Sequence, residues 1–180
     1  MKNDTIGADA YTSSFICPFE GIYICMVGAY SVAGSTTCDN GTVIRSKQQV
    51  GCRMAVVYAN VGATIQMSSS QNSGVYGLHS YYYLSGFKTA LTDFEMSSGQ
   101  NQGTTYAKSW SNNAANVICA CSACTGVYSD VSVSFEGNVS ASFNQTHYNS
   151  FVAVPDSSYC SYSITGTGYH NGGVSYITLE

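Results

Sequence analysis

The sequence predicts an all-β chain, a jelly-roll-like antiparallel β-sandwich organised as two β lobes. Three observations carry this. Apolar residues at helical spacing among Ala, Leu, Glu and Lys are almost absent. Runs rich in β-branched and aromatic residues recur at short intervals, punctuated by Gly, Asn, Asp and Ser. Charged residues make up 9% of the 180 positions and apolar residues 44%. That is too apolar for intrinsic disorder and too poor in Glu and Lys for a coiled coil.

The elements follow in order. Strands are predicted over residues 15–27, 42–45, 53–59, 63–68, 75–84 and 87–96, where Ile, Val, Tyr, Phe and Thr concentrate. A second set is predicted over 104–110, 116–122, 127–135, 139–143, 150–154, 158–165 and 174–179. Turn signals separate them: Asp39-Asn40-Gly41, Ser73-Gly74, Gly99 to Gly103, Glu136-Gly137 and Asn171-Gly172-Gly173. Many short strands at regular spacing indicate a sandwich or barrel. The polar stretch Ser97-Ser98-Gly99-Gln100-Asn101-Gln102-Gly103 reads as a linker. It divides the chain into a jelly-roll-like sandwich at 1–96, a linker at 97–103 and a second sandwich lobe at 104–180. Tyr23-Ile24-Cys25 is similar to Val117-Ile118-Cys119, and the run from Ala59 to Ile65 is similar to that from Ala153 to Tyr159. Both pairs are displaced by 94 residues without a gap, which an internal repeat explains, as does chance matching in a β-rich sequence.

Charge narrows the function classes. Six Lys plus Arg against ten Asp plus Glu leave a net charge of −4. No basic footprint for nucleic acid is present. Sparse surface charge favours association, so an assembled protein is expected. No run approaches 18 apolar residues, so no membrane insertion is predicted. The segment MKNDTIGADAYTSSF contains no apolar h-region. The expectation is synthesis in a cytoplasm without a signal peptide. Of eight cysteines, most are then expected as reduced core thiols.

Motifs in the first half are more specific. Phe15-Ile16-Cys17-Pro18-Phe19-Glu20-Gly21-Ile22-Tyr23 reads F-x-C-P-x-x-G-x-Y. This resembles the entry strand of the globular head of complement component q, in the tumour-necrosis-factor-like jelly-roll superfamily. The run from Ala55 to Met67 resembles that family's strand–turn–strand around a Gly, here Gly62, and Leu84-Ser85-Gly86-Phe87 resembles its closing strand. Similar heads cap bacteriophage fibres and bacterial surface filaments. The resemblance implies a jelly roll and a homotrimer. It covers the first half only. Ala63 stands where the family has an acidic residue, and the 73 residues from Phe15 to Phe87 are short for it.

Few residues suggest chemistry. Cys119-Ala120-Cys121-Ser122-Ala123-Cys124 lacks the second close ligand pair of a structural zinc site. Cys119 and Cys121 share one face of a strand, which fits core packing. Asp93 and Glu95 also share a face, and a solvated strand surface accounts for them better than a glycosidase pair. No G-x-S-x-G, P-loop or H-E-x-x-H motif occurs. No catalytic residue, metal or cofactor is predicted, and the chain is read as a non-enzyme.

Aromatic residues carry the binding expectations. Tyr81-Tyr82-Tyr83 does not alternate with polar residues, so both faces of its strand are expected to be covered. One face meets the sandwich core. The other needs cover from the second lobe or from a neighbouring subunit; the resemblance to trimeric heads favours the subunit, which makes Tyr81, Tyr82 and Tyr83 subunit-interface candidates. Trp110, Tyr128 and Tyr169 are candidates for stacking on glycan, although a sole Trp is more often core. The functional expectation is a non-enzymatic virion structural or adhesion protein, such as a bacteriophage fibre head, capsid-attached fibre or tail component. Its expected partners are two further copies of the chain, other virion subunits and a host-surface glycan. The rival readings are a carbohydrate-binding module or lectin, and a bacterial surface-filament head.

Overall fold

A computed structural model of the chain describes residues 2–6, 11–28, 34–49, 52–69, 77–86, 90–100, 104–109, 115–125, 131–136, 141–145, 148–153, 159–166 and 169–179. Every regular element among them is a strand. The first eight are β1 (Lys2–Ile6), β2 (Tyr11–Ile16), β3 (Gly21–Gly28), β4 (Thr36–Cys38), β5 (Gly41–Gln49), β6 (Cys52–Ala59), β7 (Thr64–Ser69) and β8 (Gly77–Leu84). The second eight are β9 (Ala90–Gln100), β10 (Thr104–Ser109), β11 (Ala115–Thr125), β12 (Val131–Glu136), β13 (Ala141–Gln145), β14 (Tyr148–Ala153), β15 (Tyr159–Gly166) and β16 (Tyr169–Leu179).

Pairing in the first eight is nested and antiparallel: β1 with β8, β2 with β7 and β3 with β6. The chain is wound like one long hairpin, with β4 and β5 in contact at its bend. A five-stranded sheet, β1-β8-β3-β6-β5, and a three-stranded sheet, β2-β7-β4, result. The second eight repeat the order strand for strand, as β9-β16-β11-β14-β13 and β10-β15-β12. Register repeats as well. Lys2 lies opposite Tyr81, and Met96 opposite Ser175. Tyr23 lies opposite Tyr83, and Val117 opposite Ile177. Phe15 lies opposite Ile65, and Ser109 opposite Tyr159. Both partners in each pair advance by 94 residues, the displacement of the short sequence matches. The repeat departs at β11–β14. Cys25 faces Ala55 in the first half, whereas Cys119 faces Val152, three residues beyond the repeat position.

The expected linker does not separate the halves. Ser97, Ser98, Gly99 and Gln100 belong to β9 and lie opposite Val174, Gly173, Gly172 and Asn171 of β16. Ladder bonds join backbones, so a polar run pairs as well as an apolar one when its partner is in place. Residues 101–103 lie outside the described residues. The change from one pairing set to the other falls between Leu84 and Ala90. Two other expectations change. The strand expected over 15–27 is two strands in different sheets, broken over Cys17–Glu20 around Pro18, which has no N–H to donate. Lys2–Ile6 and Thr36–Cys38 are strands that the sequence did not signal.

Both faces of the five-stranded sheet are covered, which is why β3 is buried at every residue. On one face Tyr23, Cys25, Val27, Val57 and Tyr81 pack with Ile65, Met67 and Phe15 of the small sheet. On the other, Ile22, Ile24, Met26, Met54, Val56, Tyr82 and Leu84 form one cluster with Val152 of β14. There β11 approaches β3 and β8, β14 approaches β8, and β16 approaches β3 and β6. The second half of the chain thus closes over the first. Each large aliphatic or aromatic side chain buried this way contributes on the order of 1.5–3 kcal/mol.

Candidate functional site: the loop end of the first sandwich

Three turns meet at one end of the first sandwich: Cys17–Glu20, Asp39–Asn40 and Asn60–Ala63. Their backbones are bonded to one another. Cys17 N–H donates to Ala63 O at 2.8 Å, and Gly62 N–H donates to Cys17 O at 2.8 Å. Asn60 N–H donates to Asn40 O at 3.1 Å, and its side-chain amide donates to Asn40 Oδ1 at 2.8 Å. Gly62 has φ of 80°, the left-handed region that makes this turn tight.

Aromatic side chains hold the first turn from beneath. The Tyr23 hydroxyl donates to Phe19 O at 2.7 Å and accepts from Phe19 N–H at 3.3 Å. The Phe19 ring lies 5.3 Å from Tyr83, and Tyr83 lies 5.2 Å from Tyr23. The Tyr83 hydroxyl donates to Glu20 O at 3.3 Å, and the Tyr58 hydroxyl donates to the Glu20 carboxylate. That last bond holds the proton on Tyr58 and pushes its phenol up.

On this rigid base stand Ile16, Phe19 and Val61, which are 68%, 56% and 64% exposed. They are the exposed large hydrophobic side chains among the described residues. All three lie on, or immediately beside, two turns that are bonded together. Exposed apolar residues scattered singly are ordinary; these three lie together at one end of the sandwich.

The Cys17 thiol and the Tyr23 phenol of this region hold their protons at neutral pH. Burial pushes the Cys17 thiol up to about 11, with a partly offsetting hydrogen bond to Tyr23, so it stays protonated and a poor nucleophile at neutral pH. Burial likewise pushes Tyr23 up to about 12. At the opposite end, Ser69 Oγ and His79 Nε2 lie 3.1 Å apart. Both residues are buried. The Arg53 guanidinium, also buried, donates to the carbonyls of Ser35 and Ser68 and ties the chain before β4 to β7. Cys17, Cys25, Cys38 and Cys52 carry free thiols. Among the described residues no group of three or more His, Cys, Asp or Glu is placed to hold a metal ion, and no helix is long and apolar enough to cross a membrane.

The aromatic candidates divide. Tyr81 points into the sandwich, stacks on Phe15 at 5.3 Å and donates its hydroxyl to Ser13 O at 2.9 Å. Tyr82 points the other way, into the cluster shared with Val152. Both are buried within a single chain, so neither has surface left for another subunit. The cover inferred for the second face is the chain's own second half. Tyr83 is half-buried and reaches the loop end, the one member of the trio at the exposed site. Trp110 and Tyr128 lie outside the described residues. Tyr169 opens β16 opposite Thr125, and its side chain is also outside them. Sequence reasoning missed Ile16, Phe19 and Val61. The available signal was local: Phe19 and Val61 are apolar residues inside turn segments, Pro18-Phe19-Glu20-Gly21 and Asn60-Val61-Gly62. No family model matches the chain, and neither a curated relative nor a solved structure matches it.

Proposed function

We propose that the chain is a non-enzymatic structural or adhesion subunit of a virion, a bacteriophage fibre head, capsid-attached fibre or tail component, with each half wound as a jelly roll. The observation that carries the reading is the apolar loop end, Ile16, Phe19 and Val61, set on turns that its own hydrogen bonds and ring contacts hold still. Pre-ordered apolar groups dock without the entropic cost of ordering a loop. Sparse charge, the nested strand winding and the resemblance of the first half to trimeric heads support the same reading. In it, three copies and neighbouring virion subunits meet through the loop end and Tyr83, not through Tyr81 and Tyr82.

Light scattering on the full chain tests this. The wild type is expected at three times 19.1 kDa, and the double variant Phe19→Ser, Val61→Ser at the mass of one chain with an unchanged circular dichroism spectrum. A monomeric wild type retires the trimer, and a variant that keeps the wild-type mass retires the patch. An encoding position beside capsid, portal or tail genes supports the virion, whereas one beside a glycosidase gene supports a carbohydrate-binding module.

A further inference from the structure

The outer face of the small sheet holds a depression that the loop-end patch does not use. Directly opposite residues on neighbouring strands share a face. Phe15, Ile65 and Cys38 form one row across β2, β7 and β4, with Ile65 wholly buried. The rows on either side therefore face outward: Ile16, Thr64 and Asp39, and then Ser14, Gln66 and Thr37. Between β4 and β7 lies an open depression of about 250 Å³ lined by Thr37, Cys38, Asp39, Thr64 and Gln66.

Its polar groups are held in place. Asp39 Oδ1 accepts from Thr64 N–H at 2.7 Å, while Asp39 N–H donates to Thr64 O at 3.2 Å, so the carboxylate is clamped at the strand end. The Gln66 amide nitrogen donates to Ser14 Oγ at 3.4 Å, which leaves its carbonyl oxygen and second N–H to a ligand. The lining contributes one carboxylate, two threonine hydroxyls, one amide and one cysteine, and no Lys or Arg.

That inventory selects a ligand. An anion meets a carboxylate with no cation beside it. Calcium takes six to eight oxygens, more than this wall presents around a single carboxylate. A drug-sized apolar ligand needs roughly 300–1,000 Å³ of mainly apolar wall. A sugar ring needs fixed acceptors and donors for adjacent hydroxyls, which the clamped Asp39 carboxylate and the Gln66 amide supply together in this lining. We propose that this depression binds one residue of a neutral sugar, with Asp39 and Gln66 as its main hydrogen-bonding groups. The inference deepens the adhesion part of the reading above by naming the ligand class and placing it beside the protein-contact patch.

The test is a set of amide correlation spectra of the full-length chain, titrated into the millimolar range with the methyl glycosides of glucose, galactose, mannose, fucose, N-acetylglucosamine and N-acetylgalactosamine. At least one is expected to give saturable shifts centred on Thr37–Asp39 and Thr64–Gln66. Asp39→Asn keeps an acceptor for Thr64 N–H, and Gln66→Ala alters an exposed side chain. Each is expected to weaken binding about tenfold or more, the loss of one charge-assisted or neutral hydrogen-bonding group in a small site. Silence toward all six glycosides overturns the proposal, as do shifts centred elsewhere or an affinity unchanged in both variants. Phe19→Ser, Val61→Ser leaves the depression intact and is expected to bind the same glycoside equally well. Loss of assembly and loss of sugar binding are therefore separate failures.

Discussion

The two faces of the sheet β1-β8-β3-β6-β5 are buried by different chemistry. The face toward the second half is mainly aliphatic: Ile22, Ile24, Met26, Met54, Val56 and Leu84, with Tyr82 among them. The face toward the small sheet carries rings, thiols and hydrogen bonds: Tyr23, Tyr81, Phe15, Cys17 and Cys25, with Arg53 and His79 at its far end. Aliphatic packing is non-directional and joins two units over a broad area. Buried hydroxyls and guanidinium must each find a particular partner, so they fix one register and one loop geometry. The first face holds the repeats together, and the second shapes the site.

Neighbouring residues on opposite faces give the sharpest test. Ile24→Ala is expected to cost about 2–5 kcal/mol by urea unfolding, because it hollows the aliphatic cluster. Cys25→Ala, one residue on and on the other face, is expected to cost on the order of 1 kcal/mol. Equal losses would break the contrast. Next in size is Tyr81→Phe, which leaves the volume but strips a proton donor from Ser13 O. The expected loss is about 1–3 kcal/mol, read by the same unfolding curves.

The polar face also predicts a pH response. Cys17 and Tyr23 both hold their protons more tightly when folded. Their contribution is complete below the ordinary thiol value of 9.0 and is lost as pH rises through about 11 for Cys17 and about 12 for Tyr23. Melting temperature is expected to fall over that alkaline range, less steeply in Cys17→Ala. A flat alkaline profile would remove the thiol from the account. Smallest in stability is Phe19→Ser, expected within about 0.5 kcal/mol because the ring is exposed, while its effect on assembly is large.

Much of the fold was legible because side-chain pattern reports burial. The Tyr81–Leu84 run, without polar alternation, announces a strand covered on two sides, and Tyr81 and Tyr82 are both buried. What pattern does not report is which surface supplies the cover: the second half of the chain or a neighbouring subunit fits the Tyr run equally, and in the structure Val152 of the same chain shares the cluster with Tyr82. Polar β1 and Ser97–Gln100 gave no strand signal, since their pairing depends on β8 and β16 being present. The loop-end site was less legible. Ile16, Phe19 and Val61 resemble core residues by type; strand alternation turns Ile16 outward, and the backbone bonds between Cys17, Gly62 and Ala63 bring its segment beside the turns of Phe19 and Val61.

Nested winding also sets an order of events in time. Gln49 pairs with Cys52 across the shortest gap, so the β5–β6 hairpin can close locally within microseconds. From there each outer pair closes a longer loop than the one inside it, until Lys2 meets Tyr81. On a ribosome, that last closure waits for β8 to emerge. The first eight strands can then finish winding while β9 to β16 are still being made, since none of their pairs draws on the second set. Until Val152 and its strand arrive, the aliphatic face of Ile24 and Leu84 stays wet. The interval between those two moments is when a nascent chain is most exposed to pairing with a neighbouring copy.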